Sequence, residues 1–209
     1  INVDDIVVVY VGRLSFHAKA HHLPMYAALE KCAKKLKDKK IHLIQTGWFH
    51  NEFIENTFKS EALDICPSVI THFIDGKNQD NKHLTLASGD IFISLSDNIQ
   101  ETFGITPIEA MASGLPVIVS DWDGYKENVE HNIDGFRIPS ISLNNGFGDK
   151  LAYDHKIGKI TYDLYIAMAS ISTGINVRDC TEKLEILINN KDLRNKFSIS
   201  AKIEGWKPQ

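Results

Sequence analysis

A chain of 209 residues, 43% apolar and 24% charged, has the composition of an ordinary folded domain, which excludes disorder, collagen and coiled coil as whole-chain readings. One α/β domain of this length removes roughly 70% of its unfolded surface from water, so neither a disulfide nor a metal is needed to hold it together. The net charge of −4, from 23 basic and 27 acidic residues, gives no general attraction to nucleic acid or to an anionic membrane, so any basic site must be local. Cys32, Cys66 and Cys180 stand far apart, are odd in number and form no C-x-x-C pair. That argues against a disulfide framework or a zinc site and leads us to expect a reducing cytoplasm. The longest apolar run is strand-sized, and no membrane span or signal peptide is expected.

Ile6 to Val11 is a continuous β-branched run closed by Gly12, the pattern of a parallel strand buried on both faces. Apolar residues then recur at Leu23, Ala27, Ala28, Leu29, Cys32, Ala33 and Leu36, which predicts a helix with lysines on its outer face. The lysine-rich stretch from Lys31 to Lys40 reads either as an anion-binding patch or as the solvated face of that helix. Strand signals return at Ile41 to Gln45, Val69 to Ile74, Asp90 to Leu95 and Pro116 to Ser120, separated by helix-compatible stretches at about 50–65, 79–88 and 106–113. This alternation predicts an α/β fold with a doubly wound, mainly parallel sheet and helices on both faces. Asn144, Asn145, Gly146 and Gly148 mark a loop, Tyr162 to Ile171 a helix, and helices at about 181–189 and 191–201 close a single domain over residues 1–209.

Ligands of such sheets bind at the carboxyl ends of the strands. The first strand ends in Gly12, Arg13 and Leu14, with Lys19 six residues after Arg13. Neither a dinucleotide fingerprint nor a P-loop is present. The glycine permits close backbone approach, and the two cations suit a diphosphate, Arg as a planar fork and Lys as a point charge. A surface Arg and Lys without a ligand is the alternative. His17, His21 and His22 lie nearby, but no further ligand completes a metal site at a recognisable spacing. After the fourth core strand, Thr106 is placed at the N-cap of a helix, Pro107 at its first position and Gly114 after its end. The N–H groups of Phe103, Gly104 and Ile105 then occupy the turn before the helix, where free donors and the helix dipole favour an anion. Glu101 and Glu109 bracket that turn. Thr106 to Glu109 also reads as a capping box, with Glu109 bonding back to the Thr106 backbone.

The Glu-x7-Glu signature from Glu101 to Glu109, followed by the run Ala110 to Ile118 and preceded by Val11 to Leu14, resembles the retaining group 1 glycosyltransferases. More narrowly, it resembles the nucleotide-sugar donor-binding C-terminal domain, the Rossmann-like half of their GT-B fold. The similarity runs from about Ile6 to Pro139, including a turn at Asp134-Gly135-Phe136, and returns more weakly over 181–200. The resemblance implies that Glu109 holds the ribose hydroxyls of a nucleotide-diphosphate sugar. It further implies that Glu101 and the Phe103, Gly104 and Ile105 amides hold the sugar and diphosphate, and that Arg13 and Lys19 neutralise the diphosphate beside Gly12. Phe73 and Ile74 would meet the base. Arg13, Lys19 and Glu101 are thus the expected catalytic group, in a metal-independent hexosyl transfer that needs no cofactor.

Two departures stand out: the Arg13 to Lys19 interval is one residue longer than the commonest family spacing, and the insertion at about 140–178 is longer than usual. The alternative reading is a non-catalytic nucleotide-sugar binding module, and a sugar-nucleotide epimerase fits the strand-end signature less well. The family also implies an N-terminal acceptor domain in the same protein. The chain begins with Ile rather than Met and stops just after Trp206, where relatives continue with a helix that returns to the first domain. We therefore expect a piece of a two-domain enzyme that binds donor and transfers little by itself.

Overall fold

The computed structural model describes residues 1–205, and side chains through 202; Trp206 lies outside the described residues. Six parallel strands form the central sheet: β1 (Ile6–Val11), β2 (Ile41–Gly47), β3 (Ile70–Asp75), β4 (Ile91–Ser94), β5 (Val117–Ser120) and β6 (Gly135–Ile138), in the order β3-β2-β1-β4-β5-β6. Between them run α1 (Leu23–Ala33), α2 (Glu52–Ile65), α3 (Gln79–Ser88), α4 (Ile105–Ala112) and the short α5 (Tyr125–Asn128). The chain then forms a small antiparallel pair, β7 (Ser140–Ile141) with β8 (Gly174–Ile175), which encloses α6 (Asp149–Lys156) and α7 (Tyr162–Ile171); α8 (Val177–Asn189) and α9 (Lys191–Gly205) follow.

The alternation of side chains along β1 divides the core in two. Ile6, Val8 and Tyr10 pack with Tyr26 and Leu29 of α1, Phe58 of α2 and Leu184 of α8. Val7, Val9 and Val11 point to the other face, against Leu86 of α3, Met111 of α4 and Tyr125. Both faces of the strand are therefore dry, which is why its sequence is an unbroken apolar run rather than an alternating one.

The expected doubly wound sheet is present, with several local corrections. The turn expected at Asp134-Gly135-Phe136 leads directly into a sixth strand. Gly135 belongs there because a Cβ would sit 2.4 Å from the Val117 carbonyl oxygen. The first helix ends at Ala33 rather than Leu36, since Lys35 and Leu36 turn back with tighter bonds to Cys32 and Ala33. Helix α8 starts at Val177, four residues early, where the Asn176 side chain accepts from the Asp179 N–H. The insertion contains the expected α7, and also α6 and the β7-β8 pair.

At α4 the expected N-terminus is replaced by another. Gly104 is the N-cap, in a left-handed conformation with φ 78°, no side chain caps the helix, and Pro107 falls at the third helical position. Thr106 and Glu109 do not form the capping box. The expected stop is as anticipated: Gly114 is left-handed, its N–H bonds to Met111 O at 2.8 Å and Leu115 N–H to Ala110 O at 3.0 Å, a Schellman ending.

Candidate functional site

The strand order reverses direction between β1 and β4, and in an open α/β sheet that switch point opens a crevice at the carboxyl edge. The loops leaving β1 and β4 meet there. Arg13, just after β1, donates from Nη2 to the Ala18 carbonyl at 2.6 Å, while Lys19 N–H and Ala20 N–H both bond to Ser15 O. These bonds close 13–20 into a compact turn that presents Lys19. From the β4 side, Ser96 Oγ donates to Lys19 O at 3.0 Å and Asn98 Nδ2 to His17 O at 3.0 Å. The two loops thus form one body, and Lys19 Nζ forms an ion pair with Glu101 Oε2 across the crevice. Both side chains are largely buried, 17% and 11% exposed.

Tyr125 forms the floor. Its ring lies 6.0 Å from Lys19 Nζ, its hydroxyl bonds to Ser94 Oγ at 2.8 Å, and Gly104 packs so closely on the ring that a Cβ would stand 2.3 Å from it. Burial and the Glu101 charge push the Tyr125 hydroxyl well above its ordinary pKa, and burial raises Tyr10 similarly. Both phenols stay neutral. Gly104 leads into α4, whose first-turn N–H groups have no intrahelical partner; Phe103 and Ile105, on either side, are exposed. Glu109, one turn further, pairs through Oε1 with Lys82 of α3 at 2.5 Å.

A second cluster of close contacts lies at the ends of β1, β2 and β3. A Cβ on Gly47 would stand 2.0 Å from Gly12 O, and one on Gly76 would stand 2.6 Å from the Gly47 Cα. Gly47 and Gly76 permit that approach, whereas a Cβ on Gly12 would face the Tyr10 hydroxyl at 3.1 Å and Lys19 Cε at 3.6 Å. Phe73 is partly buried, with its ring 5.9 Å from that of Phe49, and Ile74 is 37% exposed; both lie on β3, two strands from β1, which leads to Lys19, and three from β4, which leads to Glu101. Arg13, Lys19, Glu101 and Gly104 therefore converge, Glu109 is joined to them through α4, and Phe73 and Ile74 form a separate wall. Residues missed from sequence are Lys82, Tyr125, Ser96, Asn98 and the exposed Trp48 at the end of β2. Ser96 and Asn98 stand at the head of the Ser96 to Gly114 stretch, but their role, like that of the others, is set by a partner far along the chain or by a strand end.

The three histidines of the β1 loop are drawn into packing. His22 stacks on Phe58 with centroids 3.9 Å apart and contacts Glu61, and burial lowers its pKa to about 4. Among the described residues no group of three or more His, Cys, Asp or Glu is arranged to hold a metal, and no helix is long and apolar enough to cross a membrane. The three cysteines are free and buried.

Asp97, only 5% exposed, sits beneath the β4 loop with Oδ1 lacking any hydrogen-bond partner. Burial raises its carboxyl from 3.8 to about 7, against backbone hydrogen bonds from His21 and Asp97 itself. The folded chain then holds a proton that the unfolded chain releases, so Asp97 subtracts stability as pH rises from about 4 to about 7 and by a constant amount above. Asp97→Asn is expected to stabilise the chain by an amount that grows over that range to the order of a few kcal/mol. Denaturant midpoints of both proteins at pH 4.5 and 8 test this, and an equal gain at both pH values contradicts it.

The parallel sheet with helices on both faces and a crevice at its switch point is the Rossmann-like α/β fold of a GT-B domain. Residues 1–145 match the family described as glycosyl transferases group 1. The chain belongs to that family. A glycosyltransferase of Methanocaldococcus jannaschii, MJ1607, is 26% identical over 136 residues, which are 63% of this chain and 31% of that protein. The chain thus spans under a third of that relative. Its fold matches the C-terminal domain of a group 1 glycosyl transferase, LpcC of Francisella tularensis, with a TM-score of 0.59 at 18% identity, covering 95% of this chain and 83% of that one. It also matches HepE of Anabaena, solved with UDP and glucose, with a TM-score of 0.56 at 19% identity, over 97% of this chain and 44% of that one.

Proposed function

We propose that this domain binds a nucleotide-diphosphate sugar and presents it for retaining, metal-independent transfer of a hexose to an acceptor held by an N-terminal domain of the same protein. The observation that carries this reading is the Lys19–Glu101 pair across the β1/β4 crevice, set against the first turn of α4. The UDP and glucose in the Anabaena structure support it. When the sugar–phosphate bond breaks, its electron pair stays on the diphosphate, so a cation fixed beside that oxygen gains more in the transition state than in the ground state. Lys19 supplies that charge, Arg13 holds the loop that aims it, and the α4 amides add fixed dipoles. Glu101 orients the sugar. Glu109, with Lys82 on one oxygen, offers the other to the vicinal hydroxyls of a ribose.

A thermal-shift panel of UDP-, GDP- and ADP-sugars tests the reading. At one hundred times Kd a ligand adds about 2.7 kcal/mol of stability, so at least one donor is expected to raise the melting temperature and silence across the panel overturns the proposal. Glu109→Gln keeps the shape and, with no capping box to lose, should melt within a degree or two of the parent. Its affinity for the preferred nucleotide is expected to fall about tenfold, the cost of replacing a charge-assisted hydrogen bond by a neutral one. Undiminished affinity assigns the ribose elsewhere.

A further inference from the structure

The loop carrying Glu101 borders a second cleft. Trp122, two residues after β5, donates from its indole Nε1 to the Asn98 carbonyl at 3.1 Å, which fixes the ring. Asn98, 1% exposed, donates to His17 O and to Ser170 Oγ of α7, at 3.0 and 3.1 Å, and its own Oδ1 accepts from Gln100 N–H. Gln100 in turn donates to Tyr162 Oη at 2.8 Å. The insertion is thereby fastened to the loop that leads to Glu101.

Around Trp122 the insertion leaves two adjacent spaces. One is an open cleft of about 390 Å³ whose lining includes Asp121, Asp123, Lys126, Ser140 and Ser142. The other, about 260 Å³, is mainly apolar, with Leu143, Phe147, Leu151 and Tyr165 in its lining. Both are bordered by Ile99, Trp122 and Ser142, and their sizes fall near those of small-molecule sites, about 300–1,000 Å³. Asp123 holds a left-handed backbone, φ 36°, an arrangement that costs free energy and recurs at ligand sites. The exposure of Phe147, 70%, and Leu143, 55%, leaves the apolar mouth uncovered.

A polar chamber with two carboxylates and two serine hydroxyls, bordered by the Trp122 indole it shares with an adjacent apolar chamber, matches one ligand chemistry. Carboxylates and hydroxyls accept from and donate to sugar hydroxyls, and the aromatic face covers the apolar side of a pyranose. An aliphatic or aryl group then continues into the second space. We propose that the double cleft is an outer subsite on the donor-domain side, which takes the distal sugar and apolar aglycone of an acceptor whose reacting end is held by the N-terminal domain. The sugar lies over Trp122 between Asp121, Asp123 and Ser142, and the aglycone lies among Leu143, Phe147 and Leu151. The assignment as acceptor rests on the transferase reading; its place follows from Ile99, two residues before Glu101.

Titration calorimetry of the 209-residue chain with octyl β-glucoside, kept below its micelle concentration, tests the subsite, with glucose and octanol as separate arms. The glycoside is expected to bind about tenfold more tightly than either component. Asp123→Asn suits the left-handed backbone and removes only the charge, while Phe147→Ser alters an exposed side chain; each should weaken the glycoside about fivefold or more. Binding of UDP, GDP or ADP should be unchanged in both variants. Octanol binding as tightly as the glycoside, or glycoside affinity unmoved by both substitutions, overturns the subsite. Nucleotide binding without glycoside binding overturns it too and leaves the donor reading standing; the reverse result removes the donor reading and keeps the cleft.

Discussion

Lys19→Met is expected to cost donor binding more than any other single side-chain change. A unit charge about 4 Å from the diphosphate is worth at most about 4 kcal/mol at an effective dielectric near 20, so affinity for the nucleoside diphosphate should fall by roughly 30- to several-hundredfold. The single variant also strands Glu101, whose side chain is only 11% exposed, and should melt lower for that reason alone, because an unpaired buried carboxylate is costly. Lys19→Met with Glu101→Gln separates the two effects. The double variant should recover most of the lost stability and none of the lost diphosphate affinity, as read by melting curves and by titration with UDP, GDP and ADP. Recovery of affinity in the double variant would show that Lys19 serves only to neutralise Glu101.

Gly104→Ala is expected to produce the largest loss of stability at the site. Two independent costs combine. A residue with a Cβ at φ 78° pays about 1–2 kcal/mol for the left-handed conformation. The new methyl would also stand 2.3 Å from the Tyr125 ring, and relieving that contact costs about 1–3 kcal/mol more. The sum, about 2–5 kcal/mol, is a large fraction of a domain's stability. Gly104→Asn isolates the second cost, since asparagine tolerates the left-handed region but still carries a Cβ. Chemical denaturation of both variants tests the division: the Asn protein should recover about 1 kcal/mol relative to Ala, and a near-parental Ala protein would show that the turn is free to move away from Tyr125. Because Tyr125 also underlies Lys19, the same substitution should loosen the donor site.

How much of this was legible in the sequence depends on the range of each signal. β1 could be read to the residue because its run of six residues carries no charged or amide side chain and Gly12 closes it. Tyr162–Ile171 was legible for a similar reason, as a self-contained helical stretch with Thr161 available to accept from Leu164 N–H. β6 was not, since Gly135 and Arg137 dilute a strand of four residues below any periodic signal. The capping box at Thr106 and Glu109 was a sound local expectation that a distant contact overrode: Glu109 pairs with Lys82, 27 positions earlier, and a glycine in the left-handed region starts the helix ahead of Thr106.

The candidate site divides along the same line. Arg13, Lys19, Glu101, Gly104 and Glu109 were nameable from residue type, strand ends and family resemblance. Their partners, Lys82, Tyr125, Ser96 and Asn98, were not. The alternation of strands and helices, the helix-ending and strand-ending glycines and the family were legible from residue order alone, because these depend on neighbours within a few residues or on a contiguous motif. The meeting of Lys19 with Glu101, 82 residues later, is visible in the folded chain and nowhere in the residue order. That meeting follows from the sheet order, which sets β4 beside β1 and so brings two loops, distant in the chain, to one crevice where each charge is buried against the other.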